Sequence, residues 1–407
     1  MAWQDVEPME ERVRFVLKAT REEMGFAELC RQFGISRKTG YKWLRRYQVG
    51  GLDGLRELSR RPRSSPTRLA AEVEALILRE RRRHGTWGPK KLRHVLATKY
   101  GVAPLPAAST IGNLLTRHGL TRKPRRRRPV SQPDRGTRTA PTRPNEVWGA
   151  DFKGWFKTRD GRRCEPLTIS DLASRYVLTC RIVGGPRIED VRPVFRQVFR
   201  RFGLPEALRV DNGPPFGSRG VCGLSQLSAW WLQLGIRVEF IEPGHPEQNG
   251  GHERMHRTLK AETTRPPAAS PRAQQARFDR WRRTFNQERP HEALGMQRPA
   301  QRYWRSARRY TDQPAPPVYP LHYHLRRIKR QGVIKWRNAL CYIGEALRGM
   351  VVGLVEVGDE QYDVYFGALC LGRLDSQGLR PVAAAAAHPA PSHSLRHSPG
   401  RAARGGG

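Results

Sequence analysis

The chain has 407 residues and a strongly basic composition, with 75 Lys and Arg against 37 Asp and Glu and a formal net charge of +38. This excess favours a polyanionic partner, and nucleic acid is the simplest candidate because Lys and Arg neutralise its phosphates. No stretch approaches the roughly 18 apolar residues of a membrane-spanning helix, and the acidic N-terminus lacks the apolar segment of a signal peptide. The length predicts a multidomain protein.

The cysteines are scattered along the chain without any C-x-x-C pair. They are Cys30, Cys164, Cys180, Cys222, Cys341 and Cys370. Such scattering argues against a zinc or disulfide framework and predicts reduced, mostly buried thiols in a cytoplasmic protein.

Residues 1–62 show the pattern of a helix-turn-helix DNA-binding domain. After a helix at residues 9–21, an apolar stripe in Phe26–Tyr47 is broken at Gly34 and resumes in a second helix that Ser36 can cap. We expect that helix to bury Tyr41 and Leu44. Its exposed basic residues would face the major groove: Arg37, Lys38, Lys42, Arg45 and Arg46. A purely structural helical hairpin is the alternative.

Residues 66–122 predict a second helical module. Amphipathic helices are expected at 68–82, from Lys90, and at Thr110–His118 with Ser109 as its cap. The module is either a second DNA-binding element or a structural spacer.

Residues 123–144 then form a Pro- and Arg-rich linker, which would either contact successive DNA phosphates or remain a solvated connector without fixed contacts. Its basic run includes Arg125, Arg126, Arg127 and Arg128.

Residues 145–310 predict a mixed α/β domain, because short apolar strands alternate with helical segments. The expected strands are Val147–Lys157, Glu165–Ser170, Tyr176–Val183, Ala207–Val210 and Ile236–Ile241; the expected helices are Ile188–Phe202, Leu224–Leu234 and Ala273–Gln287.

Residues 318–376 contain six short, turn-separated segments that predict a small antiparallel β-barrel. Residues 377–407 predict a disordered tail.

Three carboxylates of the central domain lie where rigid elements could bring them together. Asp151 is inside the first predicted strand, Asp211 ends the fourth, and Glu253 begins a helix. Side chains on strands and helices converge with better precision than side chains on loops. A fourth acid, Asp171, is expected to form a turn between strands.

The same helix also contains the pattern H-E-x-x-H, His252 to His256, which is typical of zinc proteases. Two glycines precede His252, so the first histidine would stand at the fraying end of the helix. Arg254 places a cation inside the pattern, and the two aspartates would have no role. A zinc metalloprotease is therefore a remote alternative, and we expect both histidines to pack or to face DNA.

The motifs W-x-x-D, D-N-G and N-G-x-x-E-R, followed by a basic helix, resemble the integrase catalytic core shared by retroviral integrases and bacterial insertion-sequence transposases. Arg289-Pro290-His291 and the flanking small domains occur in the order seen in such DDE transposases. The resemblance implies an RNase H-like core and an SH3-like C-terminal β-barrel. It also implies that Asp151, Asp211 and Glu253 are catalytic acids that bind two Mg²⁺ ions, with Mn²⁺ as a possible substitute.

The choice of the third acid departs from a common spacing. Many family members place 35 residues between the second Asp and the Glu, a count that leads from Asp211 to Glu247, whereas 41 residues separate Asp211 from Glu253. We prefer Glu253 because it begins a helix and because Phe216–Leu227 reads as an extra loop.

The resemblance implies a DNA transposase that binds the terminal inverted repeats of a mobile element and then cuts and joins DNA strands. Arg257 and Lys260 would hold DNA phosphates near the metal ions. Double-stranded DNA and further copies of the chain are the expected partners, in the cytoplasm and associated with the nucleoid. The alternative is an integrase-fold DNA-binding regulator that has lost catalysis.

Overall fold

The computed structural model describes residues 8–57, 69–121, 140–241 and 250–381. The chain divides into two compact units, Met1–Leu69 and Ala70–Gly407. The basic run at 125–128, Glu247 and most of the expected tail lie outside the described ranges.

The first unit is helical. Helices α1 (Pro8–Thr20), α2 (Phe26–Gln32) and α3 (Arg37–Gly50) are followed by a short 3₁₀ turn. Gly34, with φ +63°, makes the turn before α3, and the Ser36 hydroxyl accepts a hydrogen bond from the Thr39 N–H at 3.2 Å. The predicted cap is therefore confirmed. The buried core contains Phe15, Val16, Leu29, Cys30, Trp43 and Leu55.

The buried face of α3 differs from the prediction. Tyr41 is 53% exposed and stacks on Phe26, and Leu44 is only half-buried. Gly40 and Trp43 are buried in their place. Because Gly40 has no side chain, α3 can approach the other two helices closely on this face. The basic side chains lie on the outer face as expected, with Arg46 half-buried over the Trp43 ring.

The second unit begins with helices α4 (Ala71–Arg83), α5 (Pro89–Tyr100) and α6 (Ala108–Arg117). Their apolar faces form a small core, as the helical spacing predicted. Its buried members include Ile77, Leu92, Leu96, Ile111, Leu114 and Leu115. Ser109 is not the N-cap of α6, because the helix begins at Ala108 and its N-cap is Ala107.

A six-stranded mixed sheet follows. Its strands are β1 (Val147–Phe152), β2 (Phe156–Lys157), β3 (Arg163–Asp171), β4 (Val177–Val183), β5 (Ala207–Val210) and β6 (Arg237–Phe240). Residues 153–155 interrupt the long first strand that the sequence predicted. The order is β4-β3-β1-β5-β6, with β2 paired to the start of β3. Strands β4, β3 and β1 are antiparallel, whereas β1, β5 and β6 are parallel.

Helices cover both faces of this sheet. Helices α7 (Ile188–Phe202) and α8 (Gln226–Gln233) pack on one face around Trp148, Phe195 and Trp231. On the other face, α9 (Gly250–Thr263) and α10 (Pro271–Gln287) pack through Met255, Leu259, Phe278 and Trp281. A short helix, α11 (Pro299–Arg302), follows. The predicted mixed α/β core is confirmed.

The α4–α6 module packs against the end of α9. Glu262 forms an ion pair with Arg289 at 3.1 Å and accepts hydrogen bonds from Trp281 Nε1 at 2.7 Å and from Thr86 Oγ1. Because Thr86 lies between α4 and α5, this network joins the module to the helix that carries Glu253. The module therefore has a structural role at this contact.

The C-terminal part consists of strands β7 (His324–Arg327), β8 (Val333–Trp336), β9 (Ala339–Tyr342), β10 (Val351–Gly358), β11 (Gln361–Phe366), β12 (Leu369–Asp375) and β13 (Gly378–Arg380). Five strands form an antiparallel sheet in the order β13-β12-β11-β10-β7, and β8 and β9 form a separate hairpin. Both contribute to one apolar core. The predicted barrel is not confirmed, because strand pairing in the described residues does not close, and β13 lies where the tail was expected to be disordered.

No helix in the described ranges combines the length and apolarity needed to cross a membrane. All six cysteines are unpaired, and Cys30, Cys164 and Cys180 are buried.

Candidate active site

Asp151 and Asp211 lie at the same edge of the sheet. Strands β1 and β5 run parallel, with Trp148 opposite Leu208 and Gly149 opposite Arg209. Continuing this register places Asp151, near the end of β1, level with Asp211, the residue after β5. The carboxyl ends of neighbouring parallel strands are a common location for ligand sites in α/β sheets.

The three acids are electrostatically coupled. Burial, together with the negative charges of Asp211 and Glu253, raises the pKa of Asp151 to about 7. Desolvation also raises the pKa of Asp211, against the opposing effect of the Gly213 N–H bond. Negative charges close to a carboxylate raise its pKa in this way. Asp211 and Glu253 therefore both lie near Asp151.

Helix α9 places Glu253 on its exposed face. The buried face carries His252, Met255, His256 and Leu259, which follow helical spacing, whereas Glu253, Arg257 and Lys260 are exposed. Gly149 permits the close approach of this helix to the sheet, because a side chain there would crowd His252 and Leu172. The Arg175 guanidinium lies against Gly251 at the start of the helix.

Both histidines of the H-E-x-x-H pattern are bound to the sheet. Their Nε2 atoms hydrogen-bond the Thr168 hydroxyl, at 2.7 Å for His252 and 2.6 Å for His256. His252 also contacts Ser170 Oγ at 3.0 Å through Nδ1. The prediction that they pack is confirmed, and in this arrangement neither Nε2 is available to a zinc ion as a protease would require.

Asp171 has the predicted turn role. One carboxylate oxygen accepts hydrogen bonds from the Ser174 N–H at 2.7 Å and hydroxyl at 2.5 Å, and the other accepts from the Asn145 N–H at 2.7 Å. All of these bonds hold the connection between β3 and β4 and the entry to β1. The side chain is fully buried, so it is not a fourth acid of the site.

Positive charge borders the acids. Burial, with the charge of Lys260, lowers the pKa of Lys153, which stands two residues after Asp151. A cavity of about 390 Å³ lies at the start of α9. Five basic side chains line it: Lys91, Arg175, Arg254, Arg257 and Arg289. Glu292 and the already bonded Asp171 are its acidic members. Of the two predicted basic residues of α9, Arg257 lines this cavity, whereas Lys260 lies near Lys153.

Sequence reasoning missed Thr168, Lys153 and Arg175. Lys153 was detectable, because it follows Asp151 by two residues. Thr168 was not, because its position opposite Asp151 depends on the register of β1 and β3. Arg175, with φ +63°, occupies a tight turn between β3 and β4, and only the fold brings it to α9.

The chain matches four family models. Two are described as an integrase core domain and match residues 141–246 and 234–299. A helix-turn-helix domain matches residues 11–63, and a homeodomain-like domain matches residues 39–115. The matched ranges contain the three acids and helix α3.

Two relatives are proteins of bacterial insertion elements. The chain is 30% identical over 246 residues to a 39.2 kDa uncharacterized protein of insertion element IS476 from Xanthomonas euvesicatoria, covering 58% of this chain and 66% of that protein. The chain is also 28% identical over 288 residues to a 31.7 kDa uncharacterized protein of insertion element IS407 from Burkholderia multivorans. This alignment covers 70% of this chain and 93% of that protein.

Among solved structures, the catalytic core domain of BIV integrase aligns with 39% of this chain and 92% of its own length, at 19% identity and a TM-score of 0.30. The family models place a helix-turn-helix domain before the integrase core, as the sequence predicted. The chain therefore contains integrase-core and helix-turn-helix domains and is similar to proteins of bacterial insertion elements.

Proposed function

We propose that this protein is a metal-dependent DNA transposase that binds the ends of a mobile element and cuts and joins DNA strands. The observation that carries the proposal is the placement of Asp151 and Asp211 at adjoining strand ends, within electrostatic range of Glu253 on α9. In this proposal the three acids are the catalytic residues and the metal ligands.

The donor set fits a hard divalent cation. Carboxylate oxygens are the ligands that Mg²⁺ prefers, and Mg²⁺ usually retains several waters, so three acids and DNA oxygens suffice. Burial and the negative charges of Asp211 and Glu253 raise the pKa of Asp151, and a bound cation would offset both effects. Two divalent cations bound there would stabilise charge on the attacking and leaving oxygens of a phosphodiester.

The chain itself would position the DNA. Lys153 and Lys260 lie close enough to affect one another's charge, and both border the acids. A phosphate oxygen between them would relieve their repulsion, and a second phosphate would bind beside Arg257 in the basic cavity. No protein nucleophile is needed, because water can cut the strand and the freed 3′-OH can attack a second DNA.

The first unit would supply recognition of the element's ends. Helix α3 presents Arg37, Lys38, Lys42 and Arg45 on its exposed face, after a turn stabilised by the Ser36 cap. A cationic second helix of this kind enters the major groove in helix-turn-helix proteins. Since two element ends must be brought together before joining, we expect the active complex to contain more than one copy of the chain.

The first test is strand cleavage. A duplex carrying the inverted repeats that flank the gene is incubated with protein and Mg²⁺, and nicking is followed on a denaturing gel. We expect cleavage by the wild type and by the control variants Asp359→Asn and Glu189→Gln, which change exposed acids outside the site. Asp151→Asn and Asp211→Asn should reduce the rate at least a hundredfold. Equal cleavage by these two variants would refute the catalytic assignment, and binding without any cleavage would favour a DNA-binding regulator.

A further inference from the structure

A second group of atoms that could bind a metal ion shares Asp151 with the three acids. Asp151, His252 and His256 each offer one ligand atom, and these atoms all lie within 4.8 Å of one another. Both histidines are buried on the inner face of α9, one turn apart, and their rings stand edge to face at 4.6 Å between centroids. Asp151 is thus shared between the acids and a pair of imidazoles.

The hydrogen bonds of Thr168 define the protonation of these imidazoles. The Thr168 hydroxyl has one proton and three neighbours: the Asp151 carbonyl oxygen at 3.1 Å and the Nε2 atoms of the two histidines. A backbone carbonyl can only accept, so it takes the Thr168 proton. Both Nε2 atoms must then donate to Thr168. Both rings are almost fully buried, which favours the neutral form, so each carries its single proton on Nε2.

The Nδ1 atoms are consequently acceptors. His252 Nδ1 accepts from the Ser170 hydroxyl at 3.0 Å. His256 Nδ1 instead faces Asp151 Oδ2 at 3.6 Å. A carboxylate that binds a metal ion is ionised, and its oxygens also only accept. Two lone pairs directed at each other at this distance repel unless a cation lies against both.

We propose that His256 Nδ1 is a nitrogen ligand of the divalent cation held by Asp151, which makes the centre a mixed imidazole–carboxylate site that prefers Mn²⁺ to Mg²⁺. The inference rests on the proposed function only in placing a cation at Asp151. A neutral imidazole whose other N–H is held by a fixed acceptor is the usual form of a metal-ligating histidine. Imidazole is a better ligand for first-row transition metals than for Mg²⁺, which prefers oxygen.

His256 rather than His252 is the ligand, because both nitrogens of His252 already have hydrogen-bond partners. Thr168 becomes the residue that orients the ligand, since its hydroxyl fixes the Nε2–H form. Glu253, one turn before His256 on α9, remains exposed on the adjacent face. One helix would therefore provide both an oxygen and a nitrogen ligand.

The test uses Mn²⁺ alone and the full chain with its histidines labelled with ¹⁵N. Pulsed electron paramagnetic resonance should show a ¹⁵N coupling from a directly bound imidazole in the wild type. The coupling should vanish in His256→Gln and persist in His118→Gln, which changes an exposed histidine of α6's C-terminal end. Affinity for Mn²⁺ should fall by at least about 10-fold in His256→Gln, since loss of even an outer-shell partner of a ligand costs that much, whereas affinity for Mg²⁺ should change little.

A second measurement needs no variant. The ¹⁵N chemical shifts of metal-free wild type should place the His256 proton on Nε2. A proton on Nδ1, donated to Asp151, would overturn the inference. So would Mn²⁺ binding that depends on Asp151 but shows no nitrogen coupling, and this outcome would leave the proposed function intact. Mn²⁺ binding that is absent, or indifferent to Asp151→Asn, would refute both.

Discussion

At the scale of single residues, Asp151 is the centre of the site. Its carboxylate is half-buried, lies level with Asp211, and faces His256 Nδ1 at 3.6 Å. Its carbonyl oxygen accepts a hydrogen bond from the Thr168 hydroxyl, which also contacts both histidines, so Asp151 belongs both to the group of acids and to the histidine pair. Burial, followed by the negative charges of Asp211 and Glu253, makes the ionised form of Asp151 unfavourable and raises its pKa to about 7.

This shift has a consequence for stability in the absence of metal. Because the folded-state pKa of Asp151 is above its unfolded value, its stabilising contribution is present below about pH 4 and is lost as the pH rises through 7. Asp151→Asn removes the ionisable group. We expect the variant to melt higher than metal-free wild type at pH 8, by about 2–4 °C for each kcal/mol recovered, with a smaller difference at pH 5.

Calorimetry of the two proteins at both pH values, with a chelator present, checks this prediction. Saturating Mg²⁺ should stabilise the wild type more than Asp151→Asn at pH 8. A variant that melts below the wild type under metal-free conditions at pH 8 would show that Asp151 is not under electrostatic strain.

At the scale of elements, α3 and α9 owe their positions to glycines. Gly40 lies where a Cβ would be 2.7 Å from Cys30 Sγ and 2.9 Å from Phe15 Cζ. Gly149 has the equivalent role where α9 meets the sheet. In both cases a glycine allows a helix to pack closely against its neighbours.

Gly40→Ala should therefore loosen the first unit. Overpacking of this kind costs about 1–3 kcal/mol, which outweighs the roughly 1 kcal/mol that alanine gains over glycine in a helix. Hydrogen exchange followed by mass spectrometry should show faster exchange in α1–α3. Gly50→Ala, in the same helix but with open space around it, is the control. Unchanged protection in Gly40→Ala would mean that the close helix contact is not required.

Much of the element structure was predictable from sequence. Ile188–Phe202 and Ala207–Val210 were predicted with the bounds that the structure shows, because strong apolar periodicity ends at Gly203 and at Asp211. The buried face of α3 could not be predicted, because Tyr41 and Trp43 lie on different faces of the helix and either could have been buried. The face that contains Gly40 is the one that can pack closely against the other helices. The Thr168–His256 contact also escaped prediction, because it joins two elements 88 residues apart.

The C-terminal strands show another limit. Turn signals located most of them, but alternation of apolar residues does not determine whether edge strands meet and close a barrel. That depends on twist and register, and here β8 and β9 pair with each other instead of joining the larger sheet.

At the scale of the whole molecule, the charge of +38 predicts salt-sensitive DNA binding. Each phosphate contact contributes nearly one unit to the slope of log affinity against log salt concentration. The exposed cations of α3 should account for part of that slope. The remainder would come from α9, the basic cavity and the run at 125–128.

Replacing Lys38 and Lys42 together by Ala should reduce this slope by about 2. Fluorescence anisotropy of a labelled terminal-repeat duplex at several salt concentrations gives the value. Arg14→Ala with Arg21→Ala removes the same charge from exposed positions of the same unit that lie off α3. A slope that falls equally in both double variants would argue that α3 is not the DNA-reading helix.

The most direct test of the whole account is strand joining from a duplex that already carries a free 3′-OH at the element's end. Joining to a plasmid in the presence of Mg²⁺ or Mn²⁺ isolates the phosphoryl transfer step from end cleavage. Wild type and Glu247→Gln should join the DNA, whereas Asp151→Asn, Asp211→Asn and Glu253→Gln should not. Joining by Glu253→Gln at the wild-type rate, with loss of joining in Glu247→Gln, would contradict the site described for α9.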